Sequence, residues 1–284
     1  MKHIFMMNDT KKHHDFEKEI HDVMKEYHYE IIYTTSMQDT IQYIFDYPTT
    51  ARFYSVGGDG TLSGIIQAMV HKDHELVVIP LGTGNDFCRT VTSERNPKSV
   101  LIQSLSKQSQ KIDSVLINDR YYINSACFGV DSVIANHVHD TPNIPLVPNS
   151  KSYIVSIMQH VFSYQFDMVK IISEDKCLYE GKVTLCTFNN GQYYGGGFHI
   201  IPHANIQDGY IDVCVVDKVK KSKIPYMLGL LLAHKLQNRK DVHYFKVKEA
   251  TIYTQQISNI DGEEYISDTY HLKIVPASLN LVID

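Results

Sequence analysis

Residues 51–69 constrain the fold more than any other stretch. An apolar run, residues 51–56, leads into Gly57-Gly58-Asp59-Gly60-Thr61. A helix-periodic set, Leu62, Ile65, Ile66 and Met69, follows. A strand entering a glycine-rich turn that opens a helix is an arrangement that holds a phosphate. Glycine has no Cβ, so the backbone can approach an anion. The free N–H groups of the helix start point at it, with the positive end of the helix dipole behind them. Asp59 sits inside the loop. A carboxylate beside phosphates is repulsive unless a cation or a substrate hydroxyl lies between. The stretch alone therefore fits phosphate plus metal, phosphate plus a hydroxyl acceptor, or a tight turn with no further role.

A second loop repeats the logic. Pro80-Leu81-Gly82-Thr83-Gly84-Asn85-Asp86-Phe87-Cys88-Arg89 again offers glycines, a hydroxyl at Thr83 and a carboxylate at Asp86. The surrounding pattern alternates: strands are expected at residues 3–7, 29–34, 52–56 and 76–79, and helices at 15–27 and 36–47. Ser36 reads as an N-cap, with Asp39 where a capping box places an acid, and Pro48 ends that helix. Alternating strands and helices predict a Rossmann-like α/β domain with a parallel sheet, whose ligands lie beyond the carboxyl ends of the strands. Both loops begin at such ends.

After Arg120 the texture changes to short strand-like runs at 121–125, 166–173, 183–189, 211–216, 242–247, 251–254 and 271–275. They are separated by Asn118-Asp119, Glu180-Gly181, Asp208-Gly209 and Asp261-Gly262. That spacing predicts an antiparallel β-sandwich. Helical segments are expected at 153–162 and 224–236, and a proline-rich connection at 141–148. Two domains follow, an α/β domain over 1–118 and a β-sandwich over 119–284. The C-terminal segment is a candidate to return to the first domain, and the active site is expected in the interdomain cleft.

Composition narrows the class. The chain has 284 residues, 43% hydrophobic and 21% charged, with formal net charge −5, which argues against a nucleic-acid binder. No apolar run approaches the ~20 residues of a spanning helix, and residues 1–8 read as a first strand rather than a signal peptide. Five scattered cysteines, Cys88, Cys127, Cys177, Cys186 and Cys214, form no CxxC pair. They are expected to be reduced, buried, small hydrophobes in a cytoplasmic protein. The histidine pairs His13-His14, His71/His74 and His199/His203 lack further ligands and read as surface or packing residues.

At this point the two loops carry a family likeness. Gly57-Gly58-Asp59-Gly60-Thr61 and Pro80-Leu81-Gly82-Thr83-Gly84-Asn85-Asp86-Phe87 resemble the two signatures of the diacylglycerol kinase catalytic domain, within the NAD kinase/diacylglycerol kinase-like superfamily. Asn124-Ser125-Ala126-Cys127-Phe128-Gly129-Val130-Asp131, the segment Asn189-Asn190-Gly191-Gln192-Tyr193-Tyr194-Gly195-Gly196-Gly197 with Pro202, Ala204 and Asp208-Gly209, and Asp261-Gly262-Glu263 resemble further segments of its bacterial soluble lipid kinase branch. The resemblance implies an ATP-dependent kinase acting on a lipid hydroxyl, foremost diacylglycerol. The cradle for ATP would be Gly57, Gly58, Asp59, Gly60, Thr61, Leu62 and Ser63, with Thr34 and Thr83 as further contacts. Asp59 and Asp86 would organise Mg²⁺, and Glu263 would be the general base. A structural Mg²⁺ would be held by Asp208 with the carbonyls of Asn205 and Tyr210.

The chain departs from the family at its first loop, usually Asn-Pro-x-Ser-Gly. Here Asn8 is followed by Asp9, Thr10, Lys11 and Lys12; Asn8 remains as a nucleotide contact, and the two lysines could face phosphates or open a solvated helix. The departure keeps two alternatives in play: a kinase for another lipid alcohol, such as a sphingoid base or a polyprenol, and a nucleotide-binding regulatory protein without turnover. The lysines at 218, 220, 221 and 223, followed by an apolar helix, are a candidate membrane-surface patch or a solvated face of a packed helix. A peripheral location at the inner membrane face, a lipid substrate and a homodimer through sandwich edge strands complete the expectations.

Overall fold

The computed structural model describes residues 1–137 and 164–283; the helix expected at 153–162 and the connection at 141–148 lie outside them. The first part alternates as the pattern predicts: β1 (Lys2–Met7), α1 (Lys11–Val23), β2 (Tyr29–Tyr33), α2 (Met37–Phe45), β3 (Ala51–Gly57), α3 (Asp59–Met69), β4 (Glu75–Pro80), α4 (Asp86–Val91) and α5 (Pro97–Ser104). The strands pair in parallel in the order β2-β1-β3-β4. Met7 is in register with both Tyr33 and Val56, and Gly57 with Pro80, so the loops after the four strands line up along one edge.

Local chemistry starts the helices. Ser36 Oγ accepts the Asp39 N–H at 3.1 Å, as expected. Thr10 Oγ1 does the same for His13 at 3.3 Å. That cap starts α1 at Lys11 rather than at residue 15. Asn96 accepts from Ser99 at 3.1 Å and Pro97 occupies the first turn of α5, a start signal the reading of the sequence passed over.

Two apolar layers clamp this sheet. Phe5, Met7, Tyr54, Val56, Val77 and Ile79 face Phe16 and Ile20 of α1, Met24 at its C-cap and Leu101 of α5. Ile4, Met6, Phe53 and Leu76 face Ile44 of α2 and Leu62, Ile65, Ile66 and Met69 of α3. Each such side chain fully removed from water contributes roughly 1.5–3 kcal/mol. At the sheet's other end, Arg52 pairs with Glu75 at 2.6 Å and donates to the carbonyls of Ser104 and Lys107, which fixes α5.

The second part consists of β5 (Ser109–Ile117), β6 (Arg120–Tyr122), β7 (Ser125–Gly129), α6 (Val130–His137), β8 (Met168–Ser173), β9 (Lys176–Asn189), β10 (Tyr193–Tyr194), β11 (Phe198–His199), β12 (Ile211–Asp217), α7 (Ile224–Leu232), β13 (Val242–Val247), β14 (Glu249–Tyr253), β15 (Ser258–Ile260), β16 (Glu263–Tyr265) and β17 (Thr269–Val282). Two antiparallel layers enclose a core that includes Val115, Ile117, Ile252, Tyr270 and Leu272 from one side and Phe128, Phe188, Val213 and Ile260 from the other. β9 belongs to both layers: its start pairs with β8 and its end with β7 and β12. β17 runs along β5 and ends in parallel register with β4, Asn280 beside Glu75.

Several local expectations change. Glu180-Gly181 is not a turn but lies inside β9, Gly181 opposite Val169. The hairpin turns instead at Glu174 and Asp175, both left-handed (φ 48° and 60°). The run at 121–125 divides into β6 and β7, because the N–H groups of residues 123–125 serve Asp261 instead of a ladder. The helix expected to reach 236 stops at Leu232, where left-handed His234 (φ 54°) lets Lys235 donate back to the Leu230 carbonyl at 2.8 Å. Cys177 is exposed on β9, unlike the four other cysteines, which are buried.

Candidate active site

The two glycine loops meet backbone to backbone. The Gly57 carbonyl accepts the N–H groups of Leu81 (3.1 Å) and Gly82 (2.9 Å). A Cβ on Gly82 would lie 2.2 Å from the Gly58 Cα, and one on Gly57 would lie 2.4 Å from Thr61 Oγ1, so only glycine fits either place. Asn85 holds the second loop's curl: left-handed (φ 53°), it accepts the Gly82 N–H at 3.0 Å and donates to the Gly82 carbonyl at 2.9 Å. Gly58 caps α3 without any side-chain hydrogen bond. The first turn of α3 thus opens without a side-chain cap, with the positive end of its dipole at the loop.

Around this cradle stand the expected contacts. Asn8 is exposed at the end of β1, its carbonyl taken by the His13 ring. Thr34 is buried at the end of β2, its N–H on the Met7 carbonyl and its hydroxyl accepting from Thr40 at 2.9 Å. Thr83 is exposed at the tip of the second loop. Two of the expected cradle residues turn away. The side chain of Leu62 lies in the core. Ser63 is fully buried, and its hydroxyl accepts from Arg120 at 3.0 Å. Helical geometry forces this, since residues three and four after Asp59 face the sheet and β6.

The two aspartates are close. Asp59 accepts the N–H groups of Asp86 (3.2 Å) and Phe87 (3.3 Å) at the start of α4. Asp86 Oδ2 accepts the Gly196 N–H at 2.8 Å, while Oδ1 is buried without a hydrogen-bond partner, Arg89 Nε lying 3.9 Å away. Burial, with the charge of Asp59 behind it, pushes the Asp86 carboxyl above the ordinary range. Burial also raises Asp59, against the pull of the backbone N–H groups. Two facing carboxylates with one unsatisfied oxygen form a hard-oxygen donor set that fits Mg²⁺. The Gly196 contact comes from Gly195-Gly196-Gly197, all at positive φ. The run of three glycines was visible in the sequence, but not what it reaches.

Glu263 arrives from the sandwich. Asp261 (φ 46°) and Gly262 (φ 91°) make a two-residue turn between β15 and β16, with Ile260 opposite Glu263. A Cβ on Gly60 would lie 3.7 Å from Glu263 Oε1. The turn is fastened by Asp261, which sequence reasoning had not assigned a role. Its carboxylate accepts from Ile123 (2.8 Å), Asn124 (3.1 Å) and Ser125 (2.8 Å), at the junction of β6 and β7. Burial lifts its pKa to about 6, the three N–H groups restraining the rise.

A cavity of about 80 Å³ opens beside α6 and α7, lined among others by Ile134, Leu185, Phe198, Met227 and Leu231. Its polar handle is Asp131, only 3% exposed, with the Tyr194 hydroxyl 3.4 Å from Oδ2. Burial raises Asp131 to about 7. Asn136 of α6 and Asn259 of β15 are joined at 2.7 Å, so the cavity wall is tied to the strand that leads to Glu263.

In the loop expected to hold a structural Mg²⁺ through Asp208 and the carbonyls of Asn205 and Tyr210, the carboxylate is taken by the chain itself. Asp208 Oδ1 accepts the Tyr210 N–H at 3.1 Å, and Oδ2 takes the ammonium of Lys246. Asn205 Oδ1 accepts from the Gln207 N–H at 3.0 Å. This donor set does not fit a resident divalent ion, because the one carboxylate in it already carries a cation. Of the paired histidines, His74 packs, accepting the Ala51 N–H and standing edge-on to Phe53, whereas His14 is exposed and bonds Asp9.

An α/β domain with two touching glycine loops, followed by a β-sandwich, defines the diacylglycerol kinase/NAD kinase-like fold. Residues 3–117 match the diacylglycerol kinase catalytic domain, and residues 124–283 match the YegS C-terminal NAD kinase beta sandwich-like domain. The chain belongs to this diacylglycerol kinase and YegS lipid kinase family. It is 24% identical to a diacylglycerol kinase of Staphylococcus saprophyticus over 214 residues, 74% of this chain and 69% of the relative. It is 25% identical to a Shewanella frigidimarina protein named "Probable lipid kinase YegS-like" over 235 residues, 80% and 74% of the two chains. The fold matches a diacylglycerol kinase of Bacillus anthracis with TM-score 0.79 at 21% identity, covering 100% and 97% of the two chains. It also matches an NAD kinase of Archaeoglobus fulgidus in complex with ATP, with TM-score 0.57 at 14% identity, covering 99% and 93%.

Proposed function

We propose that this protein transfers the γ-phosphoryl group of ATP to a lipid hydroxyl, with diacylglycerol as acceptor and phosphatidic acid as product. One observation carries the reading: Glu263, from the sandwich, stands against Gly60 in the first turn after the phosphate loop. A carboxylate has no role in a pure nucleotide binder at that place, but it suits an alcohol that must lose a proton. The acceptor oxygen attacks the γ-phosphorus, the bond to the β,γ-bridging oxygen breaks, ADP leaves, and the proton goes to Glu263.

In this reading the first-turn N–H groups of α3 and the glycines hold the phosphates, with Asn8, Thr34 and Thr83 beside the rest of the nucleotide. Asp59 and Asp86 hold Mg²⁺, which when bound offsets charge on the triphosphate. The apolar cavity with Asp131 at its side supports a lipid over a small polar alcohol. Lys218, Lys220 and Lys223 are exposed, beside exposed Tyr226 and Leu232 of α7, which supports a working position at an anionic membrane surface. No helix among the described residues is long and apolar enough to cross a membrane.

The test is incubation with γ-labelled ATP, Mg²⁺ and a total lipid extract. Labelled phosphatidic acid supports the reading. A different labelled lipid moves the acceptor. Nucleotide binding with no labelled product overturns the kinase assignment.

A further inference from the structure

Lys246 faces Asp212 directly across the β12–β13 ladder. That register fixes where its ammonium can go: it hydrogen-bonds Asp208 Oδ2 and stands 3.6 Å from Asp212 Oδ2. The Asp212 side chain is 2% exposed, and neither of its oxygens takes a hydrogen bond. The His203 ring also stands beside it, Nε2 3.5 Å from Oδ1. A single ammonium thus serves two carboxylates, one of them buried. A buried carboxylate without a cation is strongly disfavoured, so this position of Lys246 is held by more than a surface ion pair.

The rest of the loop needs no ion to keep its shape. The Gly209 N–H donates to Asp113 Oδ2 at 2.8 Å, the Asp113 N–H donates to the Ile206 carbonyl at 2.7 Å, and Gln207 Nε2 donates to the Lys111 carbonyl at 2.8 Å. β5 therefore holds the loop from one side while β13 holds it from the other. A magnesium ion would require about six oxygens at roughly 2.0–2.1 Å. On the same carboxylate it would also stand within about 5 Å of the Lys246 ammonium, where two cations repel strongly.

We propose that Lys246 is the built-in cation of this loop: its ammonium takes the place that the family resemblance gives to a structural Mg²⁺, so the sandwich holds the loop at residues 205–210 without metal. The consequence is a division of labour, in which divalent ions act only where nucleotide binds. The inference does not rest on the identity of the acceptor lipid or on turnover.

The experiment uses the full chain without nucleotide or lipid, at fixed ionic strength, and reads thermal unfolding in chelator and in Mg²⁺, with metal content measured after gel filtration. Wild-type protein is expected to melt at the same temperature in both and to carry no stoichiometric magnesium. Lys246→Met, which keeps the stem and removes the charge, is expected to melt about 3 °C or more lower in chelator and to recover on adding Mg²⁺, while Lys246→Arg behaves like wild type. The inference is overturned if wild type itself loses stability in chelator and regains it with Mg²⁺. It is equally overturned if wild type retains about one magnesium per chain that Asp208→Asn removes, or if Lys246→Met ignores the metal. Should Lys246→Met not fold, the wild-type melting and metal content decide alone.

Discussion

Glu263 and Gly60 are neighbours across the cleft: a Cβ on Gly60 would stand 3.7 Å from Glu263 Oε1. That is ordinary van der Waals distance, and the Asp261-Gly262 turn is what aims the carboxylate. Behind the turn, three N–H groups at the β6–β7 junction grip Asp261. Glu263, the proposed general base, is thus referenced to the joint between the two halves of the chain rather than to a free hairpin.

Glu263→Gln keeps the shape and removes the proton acceptor. Steady-state phosphorylation of diacylglycerol is expected to fall roughly 10²–10⁴-fold in kcat with the KM for ATP unchanged. Wild-type turnover in this variant would refute the base assignment.

Asp261→Asn tests the grip. An amide offers one acceptor oxygen and turns an NH₂ toward backbone N–H groups, leaving buried donors unmatched at a cost of about 1–3 kcal/mol. A lower melting temperature is expected together with a lower kcat, while ATP affinity, measured by calorimetry, stays near wild type. A loss confined to ATP affinity would contradict the arrangement.

Gly82 and Gly58 touch, but not symmetrically. A Cβ at Gly82 would be 2.2 Å from the Gly58 Cα, whereas one at Gly58 would be 3.3 Å from the Gly82 Cα. Gly82→Ala is therefore expected to abolish nucleotide binding, and Gly58→Ala only to weaken it. Equal effects in a titration with ATP would show that the loop contact is not what shapes the cradle.

Asp131 predicts a pH dependence of stability. Its folded pKa of about 7 lies above the ordinary carboxylate value, so between those two values the folded state holds more protons than the unfolded one. Stability from this group is present at acid pH and is lost as pH rises toward and through 7, by on the order of 4 kcal/mol. Asp131→Asn is expected to melt higher than wild type at pH 8 and close to it at pH 4.5. A difference that is the same at both pH values would contradict the burial argument.

The basic stretch before α7 predicts surface binding. Replacing Lys218, Lys220 and Lys223 by alanine is expected to weaken binding to vesicles with anionic lipid roughly 100-fold, from ~1 kcal/mol per lysine near such a surface. Wild-type binding is expected to fall with added salt. Unchanged sedimentation of the variant with vesicles would remove the patch from the argument.

Much of this was legible before any coordinates. Apolar runs marked β1, β3 and β4 almost to the residue, because buried strands carry their pattern locally. Ser36 was legible for the same reason: a cap interacts with residues three positions away. α5 was missed although Asn96-Pro97 announces it, and Glu180-Gly181 was misread because a glycine in a strand looks like a turn until its partner, Val169, is known. Leu62 and Ser63 were assigned to the cradle by their place in a motif, but the helix turns them to the core and to Arg120.

The sequence by itself determined the two glycine-rich loops and the change from an α/β to a sandwich texture. Those depend on contacts a few residues long. The tertiary structure alone decided which distant groups meet: Glu263 at Gly60, Gly196 on Asp86, Asp261 in the N–H groups of residues 123–125, and Lys246 on Asp208. These meetings follow from strand register and from the packing of the two halves, which balance the whole core at once and leave no local periodicity to read.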